Sequence, residues 1–172
     1  MFSREPTGER SAPRKEQNMT HHFRTTTITA LLLCTAASIA SEPIPEIKFE
    51  TTQITIKGKK FTIEIADTDP KRERGLMHRE EMPAGHGMIF VFDKPANYQF
   101  WMKNTNIPLD LIFLDASGKV VGICNLKPHD ETPVGCGKES LYAIELNAGT
   151  AKKIGLKVDH TITLPEKVLK AK

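Results

Sequence analysis

The chain has 172 residues, 39% of them hydrophobic, 26% charged and 6% aromatic, with a formal net charge of +3. That composition suits one globular domain with extensions. Most of the small basic excess belongs to residues 1–40, and without a basic run there is no electrostatic footprint for a nucleic-acid partner.

Residues 1–18 are polar and broken by Pro6, Gly8 and Pro13; with no apolar period they read as disordered, or as lying upstream of a true start at Met19. Residues 19–40 read as a secretory signal peptide: His21, His22 and Arg24 precede an apolar stretch over 28–37, and Ser38-Ile39-Ala40 resembles a cleavage site. The apolar stretch is well short of the ~20 residues that span a bilayer, so a membrane anchor is disfavoured. A lipoprotein reading through Cys34 is weakened by Leu33 before it. Export to the periplasm or beyond, with cleavage near Ala40, is therefore expected. No stable membrane insertion is expected afterwards.

Residues 41–52, with Pro43 and Pro45, form an extended entry segment. Ile54 and Ile56, then Phe61, Ile63 and Ile65, alternate with polar neighbours around Gly58 and predict a hairpin with one buried face. Asp69 as cap and Pro70 at the first helical position start a short helix that runs towards Gly75-Leu76-Met77. The unbroken run Met88-Ile89-Phe90-Val91-Phe92 predicts a strand covered on both faces. A strand over 98–102 follows, placing Phe100 and Trp101 on opposite faces. Residues 109–114 and 120–126 form a second hairpin, residues 141–146 another strand, 147–154 a short helix ended by Gly155, and 161–164 a last strand. The Lys-rich 165–172 is expected to be a flexible tail. The spacing leaves no obvious room for helical crossovers. The expected fold is thus a single mainly β domain over 53–164, an antiparallel sandwich or barrel-like sheet with two short helices.

Cys124 and Cys136 are the two cysteines left after cleavage, and in an oxidising compartment a disulfide between them is expected. Closing that loop contributes about 3 kcal/mol in the chain-entropy picture. The rival is a nucleophilic cysteine with His129 as its base.

The polar stretch over 100–110 lies between two apolar runs and holds the sole tryptophan. Trp101, Lys103, Asn104 and Asp110 offer a stacking face, a cation, an amide and a carboxylate, groups that orient a polar ligand. The same residues also make good turn chemistry. Arg74 and Glu145 sit beside apolar residues and are further ligand contacts, or an ion pair that merely holds the fold. His78, His86, His129 and His160 are scattered singly, so no metal site is expected, and no motif calls for a cofactor.

Several of these segments also resemble one family. Arg74-Gly75-Leu76-Met77, Gly87-Met88 with Phe90 and Phe92, Phe100-Trp101-Met102-Lys103-Asn104-Thr105, Ile107-Pro108-Leu109-Asp110 and Glu145-Leu146-Asn147-Ala148-Gly149 resemble, in order, the family catalogued as domain of unknown function 192. The resemblance runs from Gln53 to Leu164. It implies a small, mainly β domain, often exported by bacteria, with no established activity. The chain departs from the family pattern at Asp159-His160, where a Gly-Asp pair is expected. The leading functional expectation is a cell-envelope binding module for a small polar ligand, an anion or a sugar. The alternatives are a hydrolase with Asp110 and Glu145 as acid and base, and a structural accessory protein.

Overall fold

The computed structural model describes residues 47–171. The leader expected over 1–40 and the first half of the entry segment, residues 41–46, lie outside the described residues. Six strands form one open sheet in the order β1-β2-β3-β6-β4-β5: β1 (Glu50–Ile56), β2 (Lys59–Ala66), β3 (His86–Ala96), β4 (Leu109–Leu114), β5 (Val120–Leu126) and β6 (Ser140–Asn147). Three short helices accompany it: α1 (Asp69–Arg74), α2 (Thr150–Lys153) and α3 (Glu166–Leu169).

The domain is mainly β, as expected, but its sheet is mixed and not closed. β2 and β3 pair in parallel, with Ile65 opposite Ile89, while every other neighbouring pair is antiparallel. The crossover that parallel pairing requires is residues 67–85, which carry α1. That segment was expected to join antiparallel neighbours. Both hairpins stand where alternation puts them. Lys57 (φ 50°) and Gly58 (φ 76°) make a two-residue turn with two positive backbone angles, the twist a tight hairpin needs.

Side chains alternate between two apolar layers. On one face Ile65, Ile89, Ile144, Ile112 and Ile123 stand opposite one another across five successive strands. This isoleucine row is covered by Ala151, Leu156, Ile162, Leu164 and Val168 from the C-terminal part of the chain. The expected tail is therefore a helix over 166–169 whose Val168 is fully buried. The next row on that face runs Ile63, Gly87, Leu146, Asp110.

On the opposite face the matching rows are Glu64, Met88, Glu145, Leu111, Cys124 and Ala66, Phe90, Ala143, Phe113, Gly122. Here the cover consists mainly of loops, which contribute Leu76, Met82, Met102 and Ile107. The strand expected over 98–102 is one of them. Phe100 makes a single two-bond bridge with Val134 (2.9 and 2.8 Å), and the Met102 N–H donates to the Asp130 carbonyl (2.9 Å). With its hydrogen bonds spent on another loop, this segment has no ladder to join. The strand expected over 161–164 is likewise reduced to one bridge, Thr161 with Lys119. Asp159, at the departure from the family pattern, takes φ 72°, the region a glycine there would enter freely, and its carboxylate pairs with Lys119 at 2.8 Å.

Both Cys124 and Cys136 are free thiols, so the expected disulfide is absent. Cys136 is seated over Gly122, two residues along the strand from Cys124. Its sulfur faces the Lys138 carbonyl, while that of Cys124 faces the Gly135 carbonyl. Burial pushes the Cys124 thiol up from its ordinary range, with Cys136 adding to the effect, the reverse of what an activated nucleophile needs.

Gly87 is closely packed where β3 meets β6. A Cβ there would fall on the Glu145 carbonyl and 2.6 Å from Leu146 Cδ2. Gly87→Ala is expected to cost about 3 kcal/mol through overpacking, read as a lowered urea midpoint. An unchanged midpoint would show that β3 and β6 can separate freely.

Candidate functional site

The loop-covered face of the sheet does not seal completely. Between the end of α1 and the loop over 97–105 lies a cavity of about 390 Å³. Phe90 and Phe92 on β3 form part of its floor, Tyr98, Phe100 and Trp101 one wall, and Gly75 to Met77 the other. The odd-even alternation of the apolar run makes this possible, because Phe90 and Phe92 share a face with Met88 while Ile89 and Val91 point into the isoleucine layer.

The aromatic wall is ordered by its own contacts. Phe92 and Tyr98 stack with centroids 3.5 Å apart and planes 10° from parallel, and Phe100 meets Phe90 edge to face at 5.0 Å. The Tyr98 hydroxyl donates to the Lys94 carbonyl at 2.8 Å. Arg72 ties α1 to β3: its guanidinium donates to the Val91 carbonyl (2.6 Å) and to Asp69 (2.5 Å) and lies 5.8 Å from the Phe92 ring centre. Gly75, at φ 45°, ends α1, and a Cβ in its place would lie 3.5 Å from the Phe90 ring.

Glu145 reaches the cavity from β6. It is 5% exposed, and no hydrogen bond reaches its carboxyl among the described residues. The nearest influential cation, Arg79, is already held by Glu64 through two hydrogen bonds of 2.6 and 2.8 Å. Burial therefore dominates over the attraction of Arg79 and pushes the Glu145 acid up to about 8. Among the described residues the only fully buried side-chain N or O atom without a partner is Ser140 Oγ, so the Glu145 carboxyl, with no protein donor, opens onto the cavity, a placement that points to a functional role.

The six residues expected to form a site are thus divided. Trp101, Arg74 and Glu145 all line the cavity. Lys103 and Asn104 do not: Lys103 reaches back to within 5.4 Å of the Trp101 ring centre, and Asn104 takes a turn conformation (φ 54°), its carbonyl accepting from the His78 N–H. Asp110 stands on the other face of the sheet. It is opposite Leu146, whereas Glu145 is opposite Leu111, and side chains one residue apart on a strand point to opposite faces. The Asp110 carboxylate accepts from Asn125 Nδ2 (2.6 Å) and from the backbone N–H groups of Gly149 (3.0 Å) and Ala151 (2.7 Å), fastening the start of α2 to β4. An acid/base pair of Asp110 and Glu145 is excluded by this placement, since the sheet lies between them.

Phe90, Phe92, Tyr98 and Thr105 line the cavity but were not among the expected site residues. The alternation signal could have supplied the two phenylalanines. Among the described residues no group of three or more His, Cys, Asp or Glu could hold a metal ion, and no helix is long and apolar enough to cross a membrane.

Residues 52–164 match the family model DUF192, described as an uncharacterized ACR family. Two solved structures are similar. A protein from Sinorhizobium meliloti 1021, described as a candidate transcription regulator, is 34% identical with a TM-score of 0.65, over 69% of this chain and 97% of its own. A protein of unknown function from Novosphingobium aromaticivorans DSM 12444 is 35% identical with a TM-score of 0.63, over 75% of this chain and 94% of its own. No curated protein matches the chain.

Two stability measurements follow from the buried carboxyls. Asp110→Ala removes three accepted hydrogen bonds and is expected to cost about 3 kcal/mol in urea unfolding, while Lys103→Ala on the exposed loop changes stability by less than about 0.5 kcal/mol. Equal effects would deny Asp110 its fastening role. Glu145 binds its proton more tightly folded than unfolded, so its contribution is fully present below about pH 4.5 and falls as pH rises to about 8. Relative to Glu145→Gln, the wild type is expected to lose on the order of 4 kcal/mol between those limits. Parallel urea midpoints for the two proteins at pH 5 and pH 8 would overturn the assignment.

Proposed function

The chain belongs to the DUF192 family, and from that premise we propose that it is a small-molecule binding module whose site is the aromatic cavity over Glu145. The observation that carries this reading is the unsatisfied carboxyl on a rigid central strand, facing a cavity of about 390 Å³ with otherwise largely apolar walls. That combination, a mainly apolar concavity with few polar groups to fix orientation, is how proteins hold small ligands. The ligand has a compact planar or apolar body that packs on the ring wall and a polar head that reaches Glu145. Trp101, 51% exposed at the mouth, covers the body, and Arg74 also lines the cavity.

The domain's place of work is proposed as the periplasm or the cell exterior. Support comes from the leader pattern in residues 19–40. Fractionation of the host, with N-terminal sequencing of the mature protein, tests it: a chain retained in the cytoplasm with its leader intact overturns export.

The binding reading is tested by a thermal-shift screen of envelope metabolites and glycans. A ligand at a hundred times its dissociation constant stabilises by about 2.7 kcal/mol, well within detection. True hits are expected to bind about threefold to tenfold more weakly to Trp101→Ala, the range that loss of one aromatic contact implies. Lys103→Ala should leave them unchanged. Hits that ignore Trp101, or a screen with none, would refute the cavity as the site.

A further inference from the structure

The charge at the cavity is not symmetrical, and it selects a ligand class. Three carboxylates, Asp69, Glu73 and Asp93, line the cavity alongside Arg72 and Arg74, with Glu145 inside. Arg72 is committed to Asp69 and to the Val91 and Asp67 carbonyls. From the elements packed against Glu145, β3 presents Met88 and β4 presents Leu111, neither charged. The segment after α1 presents Arg79, which is spent on Glu64, and the 97–105 loop presents Thr105. What remains for a ligand is Arg74 on the lining and, deeper, a buried acid lacking any protein donor, in a cavity walled by aromatic rings, of which Phe92 and Trp101 already draw the cations Arg72 and Lys103.

We infer that the cavity recognises an organic cation, an alkylammonium on an aromatic or otherwise planar body, whose N–H groups donate to the Glu145 carboxylate while the body lies against Phe92, Tyr98 and Trp101. The inference rests on the binding reading above and names its ligand class. In the empty cavity Glu145 holds a proton at neutral pH, because burial raises the acid and nothing donates to its anion. An arriving ammonium supplies both the opposite charge and the donors, so the carboxyl releases its proton to solvent as the cation binds. No bond other than that O–H is broken. A neutral ligand finds only a carboxylic acid, and an anion, although Arg74 lies on the lining, meets Glu73 and Asp93 there and brings no donor to Glu145.

The test uses three probes of one body and three charges, tryptamine, tryptophol and indole-3-acetate, titrated calorimetrically into the folded protein. At pH 7 tryptamine is expected to bind at least about tenfold more tightly than tryptophol, and indole-3-acetate most weakly. Tryptamine affinity is expected to rise about tenfold per pH unit from pH 6 to 7 and to level near pH 8. Titration in buffers of different ionisation heat should show about one proton released. Glu145→Gln should bring tryptamine down to the affinity of tryptophol and abolish the release. Trp101→Ala should weaken all three probes. Tryptophol or indole-3-acetate binding as tightly as tryptamine, or a tryptamine affinity independent of pH, overturns the charge assignment while leaving the cavity reading in place. Failure of all three to bind, or binding that ignores Trp101, overturns the cavity reading and the inference with it.

Discussion

Side-chain alternation on β6, a central strand whose residues Leu141 to Leu146 are all buried, is the constraint from which the rest follows. Ile144 and Leu146 belong to one layer and Ala143 to the other, so Glu145 has to enter the loop-covered side. Because β3 and β4 flank β6 in fixed register, the parity of one strand is imposed on its neighbours. Met88 and Leu111 wall Glu145 laterally, and Asp110 is sent to the opposite layer. A one-residue slip would exchange the two faces and put Glu145 among the isoleucines. The isoleucine row across five strands makes such a slip costly, since each fully buried side chain contributes about 2 kcal/mol. Gly87 contributes by omission, its lack of a side chain letting β3 approach β6 closely.

The two carboxylates on this frame have opposite fates because their surroundings differ in donors, not in depth. Both are at most 5% exposed. Asp110 receives N–H groups from β5's Asn125 and from the start of α2, so its charge is met by the protein and serves the fold. Glu145 receives none, and its only attracting cation is held elsewhere. The difference between the structural acid and the one proposed to bind is thus a count of hydrogen bonds, and burial alone would not separate them.

Much of the scaffold was legible in the sequence because its strands announce themselves by period. Ile54 to Ile65 alternate around a turn with Gly58, Met88 to Phe92 form an apolar run, and the second hairpin closes at Gly118. The parallel pairing of β2 with β3 was hidden, since a short helix in the crossover looks the same whether the chain returns beside β2 or beyond it. Residues 98–102 carry strand-like side chains, but their backbone partners, Val134 for Phe100 and Asp130 for Met102, come from a loop about thirty residues away and leave no local trace. Val168 fills a gap in the isoleucine layer, which a reading of the Lys-rich end as a tail had no means to see. Of the expected site, Trp101, Arg74 and Glu145 do meet. Lys103, Asn104 and Asp110 were grouped with them by nearness in sequence, and strand parity together with turn geometry separates them in space.

The walls of the cavity belong largely to loops held to one another, as Phe100 is to Val134, while the floor belongs to the sheet. On the proposed binding role, a change of residue or length in those loops alters what the cavity admits without disturbing a single ladder pairing. Selection can therefore act on ligand preference and on foldability through different parts of the chain. If the proposed role is shared, proteins with this sheet are free to diverge in what they take up, and similarity of fold among them is then a poor guide to similarity of ligand.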